Sequence, residues 1–446
     1  MSSFSLPAGD RYWLANARIP LIFLDPSLDW IPLARLSRPP LAEDLVAVDI
    51  EIRGAQIFSL QPAGQVPPAA VSVNVQKALV WPCFVDAHTH LDKGHIWERR
   101  PNPDGTFKQA LEVVSKDREK YWDAEDVYRR MEFGLRCSYA HGTQAVRTHL
   151  DVFGEQAKIS TEVFKVLQHE WQGRLKLEAV SLVSLDYYQT PAGEKLADLT
   201  AETGGILGGV LQMNPELDQQ LDRLFALAKE RRLPLDLHTD ESLDPAEMTL
   251  RHVAMAKQRH SFDHPVACAH CCSLSVQTPE VAAETMGWVK ATEITIISLP
   301  MCNLYLQDRQ PQRMPRYRGV TLLHELKQWG IPVILASDNC RDPFFAYGDH
   351  DGLEVFTRSV RIGQLDRPIG DWPLAVTRLP GELMGLPQSG RIGVDLSADL
   401  IVFKARSFNE LLARPQSDRV VIRQGQAIDT TLPDYAELDD LLTALE

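Results

Sequence analysis

The feature that most constrains this chain is an alternation that begins near Leu79, where short β-branched runs take turns with amphipathic helical stretches. That is the pattern of parallel βα units rather than of a sandwich. The runs are Leu79–Asp86, Thr143–Asp151, Leu175–Leu185, Ile206–Asn214, Leu233–Glu241, Pro265–Cys271, Ile294–Pro300 and Ile331–Asp338. Between them lie helical stretches such as Glu216–Arg232 and Pro245–His260. Eight such units are what a closed (β/α)8 barrel needs, so the expected fold is an α/β TIM barrel. The flanks read differently: Tyr12–Asn74 holds VAVDIEIRG, and Ser397–Asp429 holds ADLIVFKA and DRVVIRQGQAID, both patterned as antiparallel β. Neither flank is long enough to bury much of its own surface. The expectation is therefore a barrel over 76–388 and one small β-sandwich domain formed from both chain ends, 1–75 and 389–446.

Composition narrows the partners. Lys and Arg total 46 against 60 Asp and Glu, a net charge of −14. This balance disfavours a polyanionic nucleic acid or an anionic membrane surface as partner. Seven cysteines, odd in number and mostly inside apolar runs, do not look like a secreted disulfide framework. The N-terminus lacks the layout of a signal peptide, and no apolar stretch approaches the ~18 residues of a membrane span. The chain thus reads as cytoplasmic, and a homo-oligomer acting on a small molecule is expected. Gly204, Gly205, Gly208 and Gly209 do not follow a strand with dinucleotide-fingerprint spacing.

The sharpest chemical signal is WPCFVDAHTHLDKG, starting at Trp81. Side chains two apart on a strand face the same way, so His88 and His90 point together, as half of a metal site. Alone, an H-x-H is equally well a polar strand end. Three further residues change that reading: His238, His270 and Asp338 each close a different predicted strand. Barrel enzymes draw their catalytic groups from these strand ends. Cys268, Cys271 and Cys272 surround His270, but consecutive strand residues face opposite ways, so packed cysteines are the better account. Lys93, His95 and His149 lie near the predicted mouth. For Lys93, a salt bridge to Asp92 or another carboxylate is as good a reading as a substrate contact. His141, His169, His252, His260, His264 and His324 read as surface residues, and Trp288 and Trp329 as core.

The motifs resemble those of the amidohydrolase superfamily, and within it the bacterial cytosine-deaminase-like branch. Beyond the scattered polar residues, RTHLDV at Arg147, HTDE at His238, NLYLQDR at Asn303 and SDNCRDPF at Ser337 resemble cytosine deaminase segments in the same order. The resemblance implies that His88, His90, His238 and Asp338 bind one divalent metal ion, zinc or iron, and that His270 sits beside the catalytic water. It also implies that Glu241 shuttles a proton to a ring nitrogen, with Asp338 and His270 orienting the water and handling its proton. A bound metal lowers the pKa of water toward ~7, and a nearby carboxyl can protonate the heterocycle. Without the resemblance, Glu241 is simply a polar residue opening the next helix.

The likeness frays in the recognition residues. Ser184 aligns where cytosine deaminases use a glutamine, and a hydroxyl cannot reproduce an amide's paired contacts. Asn339 replaces an aspartate, and Lys93 is more like the branch that hydrolyses N-isopropylammelide. Lys93, Ser184, Asn339 and Phe344 are the expected substrate contacts. The expected activity is hydrolytic deamination of an amino-substituted N-heterocycle, with plain cytosine a poor substrate. Two alternatives stand beside it: removal of a substituted amine from a triazine-like ring, and a non-catalytic barrel acting as a scaffold, a loss that usually shows as missing ligands.

Overall fold

A computed structural model describes residues 6–7, 9–28 and 43–442. Eight parallel strands form the barrel sheet in chain order: Phe84–Thr89, Thr143–Asp151, Lys176–Leu182, Ile206–Val210, Leu235–Thr239, Val266–His270, Thr295–Ser298 and Val333–Leu335. They are numbered one to eight below. A parallel bridge between Thr89 and Asp338 closes the circle. There the Asp338 N–H donates to the His88 carbonyl at 2.9 Å and the His90 N–H to the Asp338 carbonyl at 3.1 Å. The barrel interior is filled with small and branched residues, Val85, Ala87, Ala145, Ala267, Ala269, Ile297, Ile334 and Ala336 among them, all buried. Inward positions must be compact because eight strands leave only enough room for side chains to meet across the axis.

The predicted run Leu79–Asp86 divides in two. Leu79–Pro82 pairs with Leu400–Phe403 in the small sheet, and Phe84–Thr89 enters the barrel. Pro82 has no N–H to continue a ladder, and at Cys83 the chain passes from one sheet to the other, its N–H donating to the Asp399 carbonyl. The small sheet is continuous, running through Gln426–Ala427, Val420–Arg423, Leu400–Phe403, Leu79–Pro82, Arg11–Pro20, Leu45–Arg53 and Gln56–Pro62, with Ser72–Asn74 beside Arg11–Pro20. Both chain ends therefore meet on Leu79–Pro82. Positions 29–42 of the predicted N-terminal flank lie outside the described residues. Trp81 anchors the seam, its ring edge-on to Phe23, Phe84, Phe356, Phe403 and Phe408 at centroid distances of 5.1–6.3 Å.

The outer helices follow their sequence signals. Leu217–Arg231 buries Leu217, Leu221, Leu224, Phe225 and Ala228 along one stripe and stops at Arg232, whose φ is 56°. The predicted helix Pro245–His260 begins four residues late, at Thr249. The Asp240 carboxylate accepts from the Thr249 N–H and hydroxyl and from the Leu250 N–H, which fixes the start there. Trp329 ends a short helix and is exposed, contrary to its expected place in the core. Among the described residues no helix is long and apolar enough to cross a membrane.

Candidate active site

The strand ends bring His88, His90, His238, His270 and Asp338 into one buried cluster. One carboxylate oxygen of Asp338 lies 3.5 Å from His88 Nε2 and 3.3 Å from His90 Nε2. His90 Nε2 is 3.3 Å from His238 Nε2. Ligand atoms on a tetrahedral ion with bonds of about 2.1 Å sit ~3.4 Å apart, so these separations suit a shared cation. Among the described residues, both nitrogens of His88 and both Asp338 oxygens are buried with no hydrogen-bond partner. Buried polar atoms left in this way call for a ligand. Asp338 and His270 also have left-handed backbones, φ 65° and 69°. Such strain collects at functional sites, where surrounding structure over-determines it.

Electrostatics put the groups in the forms that bind a cation. Burial, with the charge of Lys93, pushes His90 down to about 4. Burial holds His238 well below its ordinary value and brings His270 to about 3. Burial alone would raise Asp338, but the close approach of the His88 and His90 rings outweighs it and keeps the carboxyl well below the usual range. His90, His238 and His270 are thus neutral imidazoles beside an anionic carboxylate.

Glu241 lies at the edge of this cluster, its Oε1 3.4 Å from His270 Nδ1. Burial first, and the negative charge of Asp338 second, raise its carboxyl well above the ordinary carboxylate range. Asn303 Nδ2 contacts His270 Nδ1 at 3.0 Å. With Asn303 donating to Nδ1, the neutral ring carries its proton on Nε2, the buried and unpartnered nitrogen. The role of Asn303 was not visible from sequence, although NLYLQDR was part of the resemblance; only its meeting with His270 shows it.

Against the cluster, the His149 ring packs 3.9 Å from that of His88, and its Nε2 is 3.8 Å from Asp236. Arg147 bonds Asp236 at 2.9 Å and Glu178 at 2.9 Å. His149, expected near the mouth, is wholly buried, its ring also 5.3 Å from that of His90 and 4.9 Å from that of His238. His95 is buried as well, edge-on to Phe133 at 4.7 Å. The cysteines at 268, 271 and 272 are buried free thiols whose proton affinity burial raises.

At the rim, Lys93 Nζ bonds Asp151 at 2.9 Å, and Arg118 bonds the other Asp151 oxygen at 3.2 Å. The salt-bridge reading of Lys93 therefore holds in this structure, and its ammonium lies 5.3 Å from the centroid of the Phe344 ring. Asn339 donates to Asp342 at 2.7 Å. Ser184 is half-buried where strand three gives way to a short helix, bridged to Val210.

Residues 190–432 match the amidohydrolase family. The chain is 48% identical over 450 residues to a pterin deaminase of Rhizobium rhizogenes, a match spanning 99% of both chains. It is 23% identical to N-isopropylammelide isopropyl amidohydrolase of Pseudomonas sp. strain ADP, over 87% of this chain and 95% of the other. The fold is similar to that of 5-methylcytosine deaminase from Klebsiella pneumoniae liganded with 5-fluorocytosine, with TM-score 0.79, 21% identity, and 95% and 98% of the two chains covered. The chain belongs to the amidohydrolase family.

Proposed function

We propose that the protein is a hydrolytic deaminase of an amino-substituted N-heterocycle and that its ring is a pterin. The observation that carries the catalytic part is the buried meeting of His88, His90, His238 and Asp338, with one Asp338 oxygen 3.5 and 3.3 Å from the Nε2 atoms of His88 and His90, and His238 Nε2 3.3 Å from His90 Nε2. The ring assignment rests on the 48% identity to a pterin deaminase along the whole chain. Ser184 and Asn339 support it from the other side, because an amide and a carboxylate suited to cytosine are replaced, and the Asn339 amide is already engaged by Asp342.

In this reading the quartet holds one divalent ion, zinc or iron, since imidazole and carboxylate ligands accept both. Such an ion lowers the pKa of water toward ~7 and so supplies a nucleophile at neutral pH. The residues do the rest. His270, with its proton on Nε2, orients the attacking oxygen, and Asp338 accepts from it. Glu241, whose raised carboxyl keeps its proton at neutral pH, delivers that proton to the ring nitrogen adjoining the amino-bearing carbon. The C–N bond to the amino group then breaks, one proton of the attacking water leaves with the ammonia, the other restores the Glu241 carboxyl, and the ring keeps a carbonyl. Overall, one water is consumed and one ammonia released. Phe344 offers an aromatic face to a planar ring, and Lys93, tied to Asp151, places its charge beside that face.

The experiment is ammonia release by metal-loaded enzyme from pterin, cytosine, guanine and N-isopropylammelide. Pterin is expected to lead cytosine by at least ~30-fold in kcat/KM, the effect of leaving two polar edges unmatched at about 1–3 kcal/mol each. Cytosine turned over near ~10⁵ M⁻¹s⁻¹ with pterin inert would overturn the ring assignment.

A further inference from the structure

His95, Cys340 and His350 make a second buried cluster that shares no residue with the quartet. His95 belongs to the loop after strand one, Cys340 and His350 to the long loop after strand eight. One nitrogen from each ring and the Cys340 sulfur lie within 4.8 Å of one another. The three residues are 2%, 1% and 4% exposed. Among the described residues, neither nitrogen of His95 has a hydrogen-bond partner, and neither does Nε2 of His350. The other His350 nitrogen is 3.5 Å from the Thr89 hydroxyl, so the orphaned Nε2 is the one left to bind. Two imidazoles and a thiol packed only for their apolar surface would not leave three ring nitrogens without partners.

The backbone is shaped around this cluster. His95 and His350 have φ of 61° and 52°, a left-handed conformation that non-glycine residues adopt only when their surroundings demand it. The His95 N–H donates to the Cys340 carbonyl at 3.1 Å, joining the two loops beside the sulfur. On the facing helix Ala124–Ala140, a Cβ on Gly134 would lie 3.0 Å from His350 Nε2, so the bare glycine leaves that nitrogen uncovered.

We propose that His95, Cys340 and His350 bind a second divalent ion, of the zinc class, that clamps the strand-one loop to the strand-eight loop. One thiolate and two imidazoles form a borderline-soft set that suits zinc and not magnesium or calcium. Burial leaves both imidazoles neutral, which is the ligand form, and raises the Cys340 thiol well above its ordinary range, so its proton is given up only when the ion binds. On loading, the Cys340 S–H bond gives way to a sulfur–metal bond and one proton leaves to solvent. The clamped loops carry Lys93 and Asn339, so the ion stands behind the rim without taking part in the reaction.

The test uses full-length enzyme stripped by chelator and reloaded with Zn(II) or Co(II), each variant checked for native circular dichroism. Wild type should hold two equivalents of Zn(II), and Cys340→Ser and His350→Gln one each. The Co(II) form should show a thiolate-to-cobalt charge-transfer band, which the sulfur-free quartet cannot produce. That band should persist in His238→Ala and vanish in Cys340→Ser. A wild-type chain with one equivalent and no thiolate band would overturn the proposal, as would a band that survives Cys340→Ser. If Cys340→Ser does not fold, the wild-type band and His350→Gln still decide it. Failure of the catalytic reading looks different: His238→Ala would then keep both equivalents.

Discussion

Replacing Arg130 with methionine removes a charge while keeping most of the stem, and the structure allows the cost to be worked out. The guanidinium is fully buried. Its Nε and Nη2 bond one oxygen of Asp126 at 2.9 and 2.6 Å, and its Nη1 donates to the carbonyls of Asp92 and Gly94. Breaking a buried pair by removing one partner costs about 3–5 kcal/mol, because a charge is left without compensation. Asp126 retains Arg99 at 2.6 Å, which favours the lower end. The two carbonyls lose their donor at about 1–3 kcal/mol each when nothing replaces it. These terms overlap, and about 4 kcal/mol is the expected total. With a urea slope of about 3 kcal/mol per molar or more for a chain this long, the midpoint should fall by roughly 1 M. The same carbonyls flank Lys93, so substrate binding should weaken as well. Arg129→Met is the control: it removes a pair with Asp440 that is partly solvent-exposed, expected to be worth at most ~1 kcal/mol. Equal losses in the two variants, or a loss below ~1 kcal/mol for Arg130→Met, would refute the reasoning.

Glu241→Gln should keep fold and metal but lower turnover of the true substrate at least ~100-fold, measured by steady-state ammonia release; near-normal kcat would mean another group protonates the ring. His238→Ala should lose the quartet's metal and activity together, read by elemental analysis beside the rate. In Asp126, burial opposes ionisation, but Arg130 and Arg99 hold its carboxyl below the usual range. Its stabilising contribution is therefore complete above about pH 4 and lost as pH falls below that, so Asp126→Asn should flatten the acid limb of a stability–pH profile. A limb of unchanged slope would show that the pair contributes little.

The barrel was legible in the chain because its signal is local: the eight strands are short apolar runs, and helix stops such as Arg232 are written within a turn or two. Thr143–Asp151 coincides with its predicted span, whereas Leu79–Asp86 had to be divided, since the partners that pull Leu79–Pro82 into the other sheet lie some 320 positions away at Leu400–Phe403. The polar strand ends His88, His90, His238, His270 and Asp338 could be named in advance because a barrel collects such ends at one face. What they touch could not be. That Asn303 meets His270, that Lys93 is spoken for by Asp151, and that the His149 ring packs against that of His88 all depend on side-chain directions set by packing between distant segments. His350 shows the limit most plainly. Nothing in YGDHDG marks a ligand, and only the folding of the strand-eight loop back against His95 and the bare backbone of Gly134 brings its unpartnered nitrogen to a thiol. Periodicity and residue type determine which elements form and which residues carry chemistry. Which of those residues meet is decided by long-range contacts, whose geometry no local stretch of chain encodes.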